Sequence, residues 1–140
     1  MKRGGRRVTK VARVYARFTQ ADVRAAVAGL RGSASFQAPL REYTSFKIGG
    51  PADVVVEPAD IEDVCLVVQQ ACARKIPLFV LGGTNLLIRD GGIRGIVVSL
   101  VRLRAIKEEP GFVLYAEGGV GMPTLIGYAI RHSLTGLEWA

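Results

Sequence analysis

The sequence predicts a mixed fold, α/β or α+β, built of small units, and three observations carry that prediction. A β-branched run at Val54–Val56, a helical pattern beginning after Asp60 and an apolar run at Leu78–Leu81 make a strand, helix, strand unit. Short strand-like runs separated by turn residues follow it. The glycines gather between these runs, at Gly49 and Gly50, Gly82 and Gly83, Gly91 and Gly92, and Gly118, Gly119 and Gly121. Tight turns or a close approach of backbone to ligand require glycine at such places.

Taken in order, Thr19 caps a short helix over Thr19–Arg31, with Asp22 three residues on and Val23, Val27 and Leu30 at helical spacing. A turn at Gly32 and Ser33 follows. Phe36 to Lys47 lacks a helical period, and Pro39 favours extended chain before it, so this stretch reads as an ordered extended segment. After the strand at Val54–Val56, Asp60 caps a helix whose apolar positions are Ile61, Val64, Cys65, Val68, Ala71 and Cys72. Leu78–Leu81 is a continuous apolar run of the kind buried on both faces of a sheet. Leu86–Ile88, Ile96–Leu100 and Phe112–Ala116 read as further strands, with turns at Asp90–Gly92 and Glu109–Gly111, in a partly antiparallel sheet. Pro123 suits a first helical turn, and Leu125, Ile126, Ala129 and Ile130 mark one face of a last helix ending near His132.

Composition narrows the function classes. With 140 residues, 49% hydrophobic and 22% charged, the chain suits one domain with a real core and is neither a disordered chain nor a disulfide scaffold. The net charge of +7 is concentrated in residues 1–31, which hold nine Lys and Arg against the single acid Asp22. That basic arm reads as an extension. Attraction to nucleic acid or an anionic surface is the alternative, and no aromatic-interleaved recognition pattern accompanies it. No apolar run is long enough to span a membrane, and no secretory leader pattern is present, which points to a soluble cytoplasmic protein. Cys65 and Cys72 would lie on one helix face about 10.5 Å apart along the axis. That exceeds disulfide reach, and they read as small core hydrophobes in a reducing compartment. His132 reads as a helix-end cation, and Trp139 as a core residue.

The chemistry-bearing candidate is the loop Gly82, Gly83, Thr84 and Asn85, which directly follows a predicted buried strand. Glycines remove the Cβ that would block close approach, successive N–H groups form an anion-binding concavity, and the Thr84 hydroxyl and Asn85 amide add donors. It is neither a P-loop nor a GxGxxG dinucleotide fingerprint, and a turn without a ligand is the other reading. No catalytic or metal-ligating residue is singled out.

TSFKIGGPAD at Thr44–Asp53, IPLFVLGGTNLLI at Ile76–Ile88, AEGGVG at Ala116–Gly121 and TGLEWA at Thr135–Ala140 resemble, in order and spacing, the amino-terminal portion of the UDP-N-acetylenolpyruvoylglucosamine reductase family. The resemblance covers about residues 40–140, and leaves residues 1–39 as a basic extension with a short helix. It implies an FAD-binding domain of the vanillyl-alcohol-oxidase (PCMH) type, two small α/β subdomains with the flavin between them, incomplete at the carboxyl end and without the substrate domain. It places Gly82, Gly83, Thr84, Asn85 and Leu86 against the FAD diphosphate, with Gly118, Gly119 and Gly121 in a second flavin-side loop and Lys47–Gly50 in a turn near the cofactor. It also implies that the full enzyme takes a hydride from NADPH onto FAD and passes it to the enolpyruvyl group of the UDP-sugar, giving UDP-N-acetylmuramate for peptidoglycan. Against the family pattern Leu-Gly-x-Gly-Ser/Thr-Asn-Leu-Leu, the segment Leu81–Leu87 is one residue shorter, which removes one N–H donor and bears on FAD affinity. The family's catalytic serine, glutamate and arginine lie beyond the resembling portion, so the expectation for this chain alone is weak or absent FAD binding, no turnover, and an exposed apolar patch on the last helix. Another PCMH-type oxidoreductase, or a non-enzymatic fragment with a nucleic-acid-binding arm, remain the rival readings.

Overall fold

The computed structural model describes residues 18–82 and 85–137. The basic arm over residues 1–17, Gly83, Thr84 and Trp139 lie outside the described residues. Three helices and six strands run in the order α1 (Gln20–Ala26), β1 (Ser33–Phe36), β2 (Ala52–Glu57), α2 (Ile61–Arg74), β3 (Leu78–Leu81), β4 (Ile93–Ser99), β5 (Ile106–Glu109), β6 (Val113–Ala116) and α3 (Met122–Arg131). The first four strands form one sheet in the order β1-β2-β4-β3, with β1 antiparallel to β2 and the other neighbours parallel. β5 and β6 form a separate antiparallel pair.

The two central strands explain the core. Val54 and Val56 of β2, with Ile96 and Val98 of β4, face α1 and α2 and pack with Val23, Ala26, Val67 and Ala71. Val55 and Val97 point to the opposite face, against Leu40, Leu81 and Ile88. Side chains alternate across a strand, so a strand apolar at every position is one covered on both faces. Burying a Val side chain contributes roughly 1.5–3 kcal/mol, so these strands are the main stabilising element.

The helix starts are as the sequence predicts. Thr19 and Asp22 form a reciprocal capping box on α1, and the Asp60 carboxylate accepts from the Asp63 N–H at the start of α2. Pro123 lies in the first turn of α3, where its missing N–H costs nothing.

Several expectations need correcting. The unit β2-α2-β3 forms, but β4 inserts between its two strands, which leaves β3 at the sheet edge with Phe79 and Val80 exposed. α2 buries Asp63, Val67 and Ala71, while Ile61, Val68 and both cysteines face outward, so Cys65 and Cys72 are exposed free thiols and not core residues. The predicted apolar stripe overlooked that a carboxylate can be inward-facing once its bonds are met. Asp63 is buried and accepts from the N–H groups of Arg31, Gly32 and Ala59. Ser33 starts β1 instead of standing in a turn, and Leu40–Tyr43 is a 3₁₀ turn inside the stretch read as extended. Leu86–Ile88 is irregular chain whose Ile88 side chain is buried.

Candidate functional site

Parallel strands deliver their carboxyl ends to one rim of a sheet, and open α/β sheets bind ligands there. β3 ends at Leu81, β4 at Ser99, and the two residues are register partners. Gly82 follows Leu81 and opens on a cavity of about 240 Å³. The far wall of the same cavity is Gly118, Gly119, Val120 and Gly121, the loop that leads from β6 into α3. Tyr43, from the 3₁₀ turn, closes a third side. The two glycine segments thus meet across the seam between the four-stranded sheet and the β5-β6 unit, although thirty-odd residues of chain separate them.

The glycines are not equivalent. A Cβ on Gly119 would stand 2.0 Å from the Leu100 carbonyl oxygen, so this position must lack a side chain for the loop to lie on β4 at all. Its N–H donates to the Leu103 carbonyl at 2.9 Å, and the Val120 N–H donates to Glu117 at 3.0 Å. Two of the loop's donors are therefore engaged within the fold. Gly121 is the N-cap of α3, which has no side-chain cap and no acid in its first turn, a helix end whose N–H groups and dipole favour an anion. Gly82, by contrast, has open space on its Cα: nothing lies within 4 Å of the Cβ position.

Among the other predicted site residues, Asn85 is exposed, and Leu86 packs on the Leu40, Val55, Val97 core and lines a separate groove with Phe79 and Leu87. The Lys47–Gly50 turn is held to the Arg89–Gly92 segment: the Gly50 N–H donates to Arg89 at 3.0 Å, and a Gly50 Cβ would fall 1.9 Å from the Asp90 carbonyl oxygen. Its glycine has a packing reason.

A larger cavity of about 410 Å³ lies elsewhere, between the tip of the β5-β6 hairpin and α3, lined by apolar residues such as Phe112, Leu114, Leu125 and Leu137. Ser133 and Thr135 line it too, but it lies away from the carboxyl ends of the parallel strands, so the smaller cavity is the better candidate. On the same helix, His132 pairs with Glu108 of β5 and stacks on Tyr128, whose hydroxyl donates to the same carboxylate. His132 is thus an exposed link between α3 and the hairpin in addition to a helix-end group. Among the described residues there is no cluster of His, Cys, Asp and Glu suited to a metal ion.

Sequence reasoning missed Tyr43 and Ser99. The signal for Ser99 was available: it is the one polar residue in the run Ile96–Leu100, at the carboxyl end of a strand otherwise buried and apolar.

A family model for FAD binding domains matches residues 52–140, and the chain belongs to that family. Within it, the chain is similar to UDP-N-acetylenolpyruvoylglucosamine reductases: 46% identical over 110 residues to that of Rubrobacter xylanophilus, covering 77% of this chain and 37% of the relative. Over 103 residues it is 44% identical to that of Caldanaerobacter subterraneus, covering 73% and 34%. The chain spans about a third of the length of these curated relatives. Among solved structures, p-cresol methylhydroxylase with substrate bound aligns over 83% of this chain and 21% of its own, at 16% identity and a TM-score of 0.49.

Proposed function

We propose that this chain is the FAD-binding portion of a reductase that acts on UDP-N-acetylenolpyruvoylglucosamine, with NADPH as hydride donor, in the formation of UDP-N-acetylmuramate for peptidoglycan. The single observation that carries the proposal is the meeting of Gly82 and the Gly118–Gly121 segment on one cavity at the carboxyl ends of β3 and β4, in a chain that is 46% identical to a reductase of that name.

The cavity is smaller than the roughly 300–1,000 Å³ that encloses a drug-sized ligand, so it suits one part of a dinucleotide, its diphosphate, with the rest lying along the seam. Gly82, Gly83, Thr84, Asn85 and Leu86 are proposed on one side of that diphosphate, and Gly118, Gly119 and Gly121 on the other. The cofactor supplies the hydride chemistry; the protein's part is to bind it, orient it and exclude water. Among the described residues no carboxylate lines the cavity itself. The reaction at the enolpyruvyl group is assigned to the part of the relatives that this chain does not span. A reducing, cytoplasmic setting goes with the two exposed free thiols on α2. No helix among the described residues is long and apolar enough to cross a membrane.

The test is a flavin titration of the whole chain, read by quenching of flavin fluorescence and by flavin absorbance retained after desalting. Weak but saturable quenching is expected, since the Leu81–Leu87 loop is one residue shorter than the family pattern. A folded chain whose flavin signal stays at that of free FAD throughout overturns the proposal.

A further inference from the structure

We infer that the hydroxyls of Ser99 and Tyr43 are ligand-binding groups, a pair of donors to the diphosphate of the dinucleotide in the cavity between Gly82 and the Gly118–Gly121 loop; the inference rests on the FAD-binding reading above.

Ser99 carries the argument. It is 3% exposed, at the last position of β4, where Ile96, Val97 and Val98 before it are apolar and buried. Alternation along the strand puts Ser99 on the same face as Val97, the face that also holds Leu81, Leu40 and Tyr43. A hydroxyl buried there needs a partner, since an unmet buried donor costs about 1–3 kcal/mol. Among the described residues the Ser99 hydroxyl has no hydrogen-bond partner, yet no buried side-chain oxygen is both sealed from solvent and unbonded. Its hydroxyl therefore opens on the cavity that Ser99 lines.

Tyr43 repeats the pattern from another side of the cavity. Its ring packs half-buried on the Leu40 core, it lines the same cavity, and its hydroxyl too has no hydrogen-bond partner among the described residues. Burial foremost, then the charges of Glu57 and Glu42, push its hydroxyl above the usual tyrosine range. It keeps its proton at neutral pH and is available as a donor.

The chemistry of the ligand follows from what surrounds these two groups. Among the described residues the cavity presents hydroxyls, glycine backbone and the uncapped amino end of α3, with neither an acid nor an aromatic face other than Tyr43 in its lining. Phosphate oxygens accept from such donors, and a bond to a charged acceptor is roughly twice as strong as one between neutral groups. An isoalloxazine or adenine ring would instead call for flat apolar walls.

The experiment titrates FAD into the full chain and into Ser99→Ala and Tyr43→Phe, and measures displacement of FAD by ADP, which carries the diphosphate without the flavin. Far-UV circular dichroism and melting confirm that each variant is folded; Ser99→Cys, which keeps the volume but donates poorly, stands in if Ser99→Ala is not. The expected result is about tenfold weaker binding or more, for both FAD and ADP, in either variant. Unchanged FAD affinity in folded variants overturns the inference while leaving the FAD reading intact. Weakened FAD binding with unchanged ADP displacement, or ADP that fails to displace FAD from the unaltered chain, overturns the diphosphate assignment. An unaltered chain that binds no FAD overturns both readings.

Discussion

Asp63 is held on all sides by backbone donors: Arg31 N–H at 3.1 Å, Gly32 N–H at 2.8 Å and Ala59 N–H at 2.9 Å. Burial pushes its carboxyl up, but these three bonds and the nearby Arg31 charge together outweigh burial and hold it below the usual carboxylate range. A carboxylate whose folded value is depressed contributes stability that is complete above the unfolded value, about 3.9 for Asp, and is lost as pH falls through the folded value. Melting temperature is therefore expected to drop on acidification below about pH 4, and Asp63→Asn should flatten that part of the profile while lowering stability at neutral pH. An unaltered acid limb in Asp63→Asn would show that other carboxylates set it. Gly119 makes a second prediction at this scale. The Gly119→Ala methyl would fall 2.0 Å from the Leu100 carbonyl, so the loop must shift, at a cost of about 1–3 kcal/mol. Denaturant unfolding of the flavin-free chain measures it, and an unchanged midpoint would show that the loop can move freely. Both residues were present in the sequence as ordinary types. What distinguished them was chiefly backbone groups distant in sequence, those of Arg31 and Gly32 for Asp63 and of Leu100 for Gly119.

At the scale of elements, the sheet edge is the instructive case. Leu78–Leu81 reads as a strand buried on both faces, but Phe79 and Val80 are 39% and 49% exposed because β3 has a neighbour on one side only. An apolar edge without charge or proline invites pairing with other chains. Val80→Lys is expected to leave stability within about 0.5 kcal/mol and to raise the concentration at which the chain stays monodisperse, measured by light scattering. A loss of several degrees in melting temperature would instead mean that Val80 is covered. Of the apolar face expected to be exposed on α3, only Ile130 is, at 72%; Ala129 is buried and Leu125 and Ile126 are half-buried. Helix starts were legible because Thr19 and Asp60 cap N–H groups three residues on, and Pro123 brings a preset φ and no N–H to a first turn that leaves its N–H groups unpaired. Strand order was not, because it depends on which strand β4 slides between.

For the whole molecule, the proposed site lies where two units meet: one sheet leads to Gly82 and supplies Ser99, and the turn after β6 supplies the opposing glycines. A ligand that binds only this arrangement adds stability in proportion to the logarithm of its concentration, about 2.7 kcal/mol at a hundred times its dissociation constant. Added FAD should accordingly raise the melting temperature progressively, with riboflavin, which lacks the diphosphate, raising it less. Equal shifts with the two would remove the diphosphate from the account. The family was readable in the chain itself, since TSFKIGGPAD, the glycine loop and AEGGVG are contiguous strings whose order survives without a fold. So were the helix caps and the turns near Asp90 and Pro110, which are set by chemistry between near neighbours. The inward turn of Asp63, the outward turn of both cysteines, the edge position of β3 and the presence of Ser99 and Tyr43 on one cavity arose from contacts between distant segments. Packing against another element decides those, and a linear pattern carries no record of which element that will be.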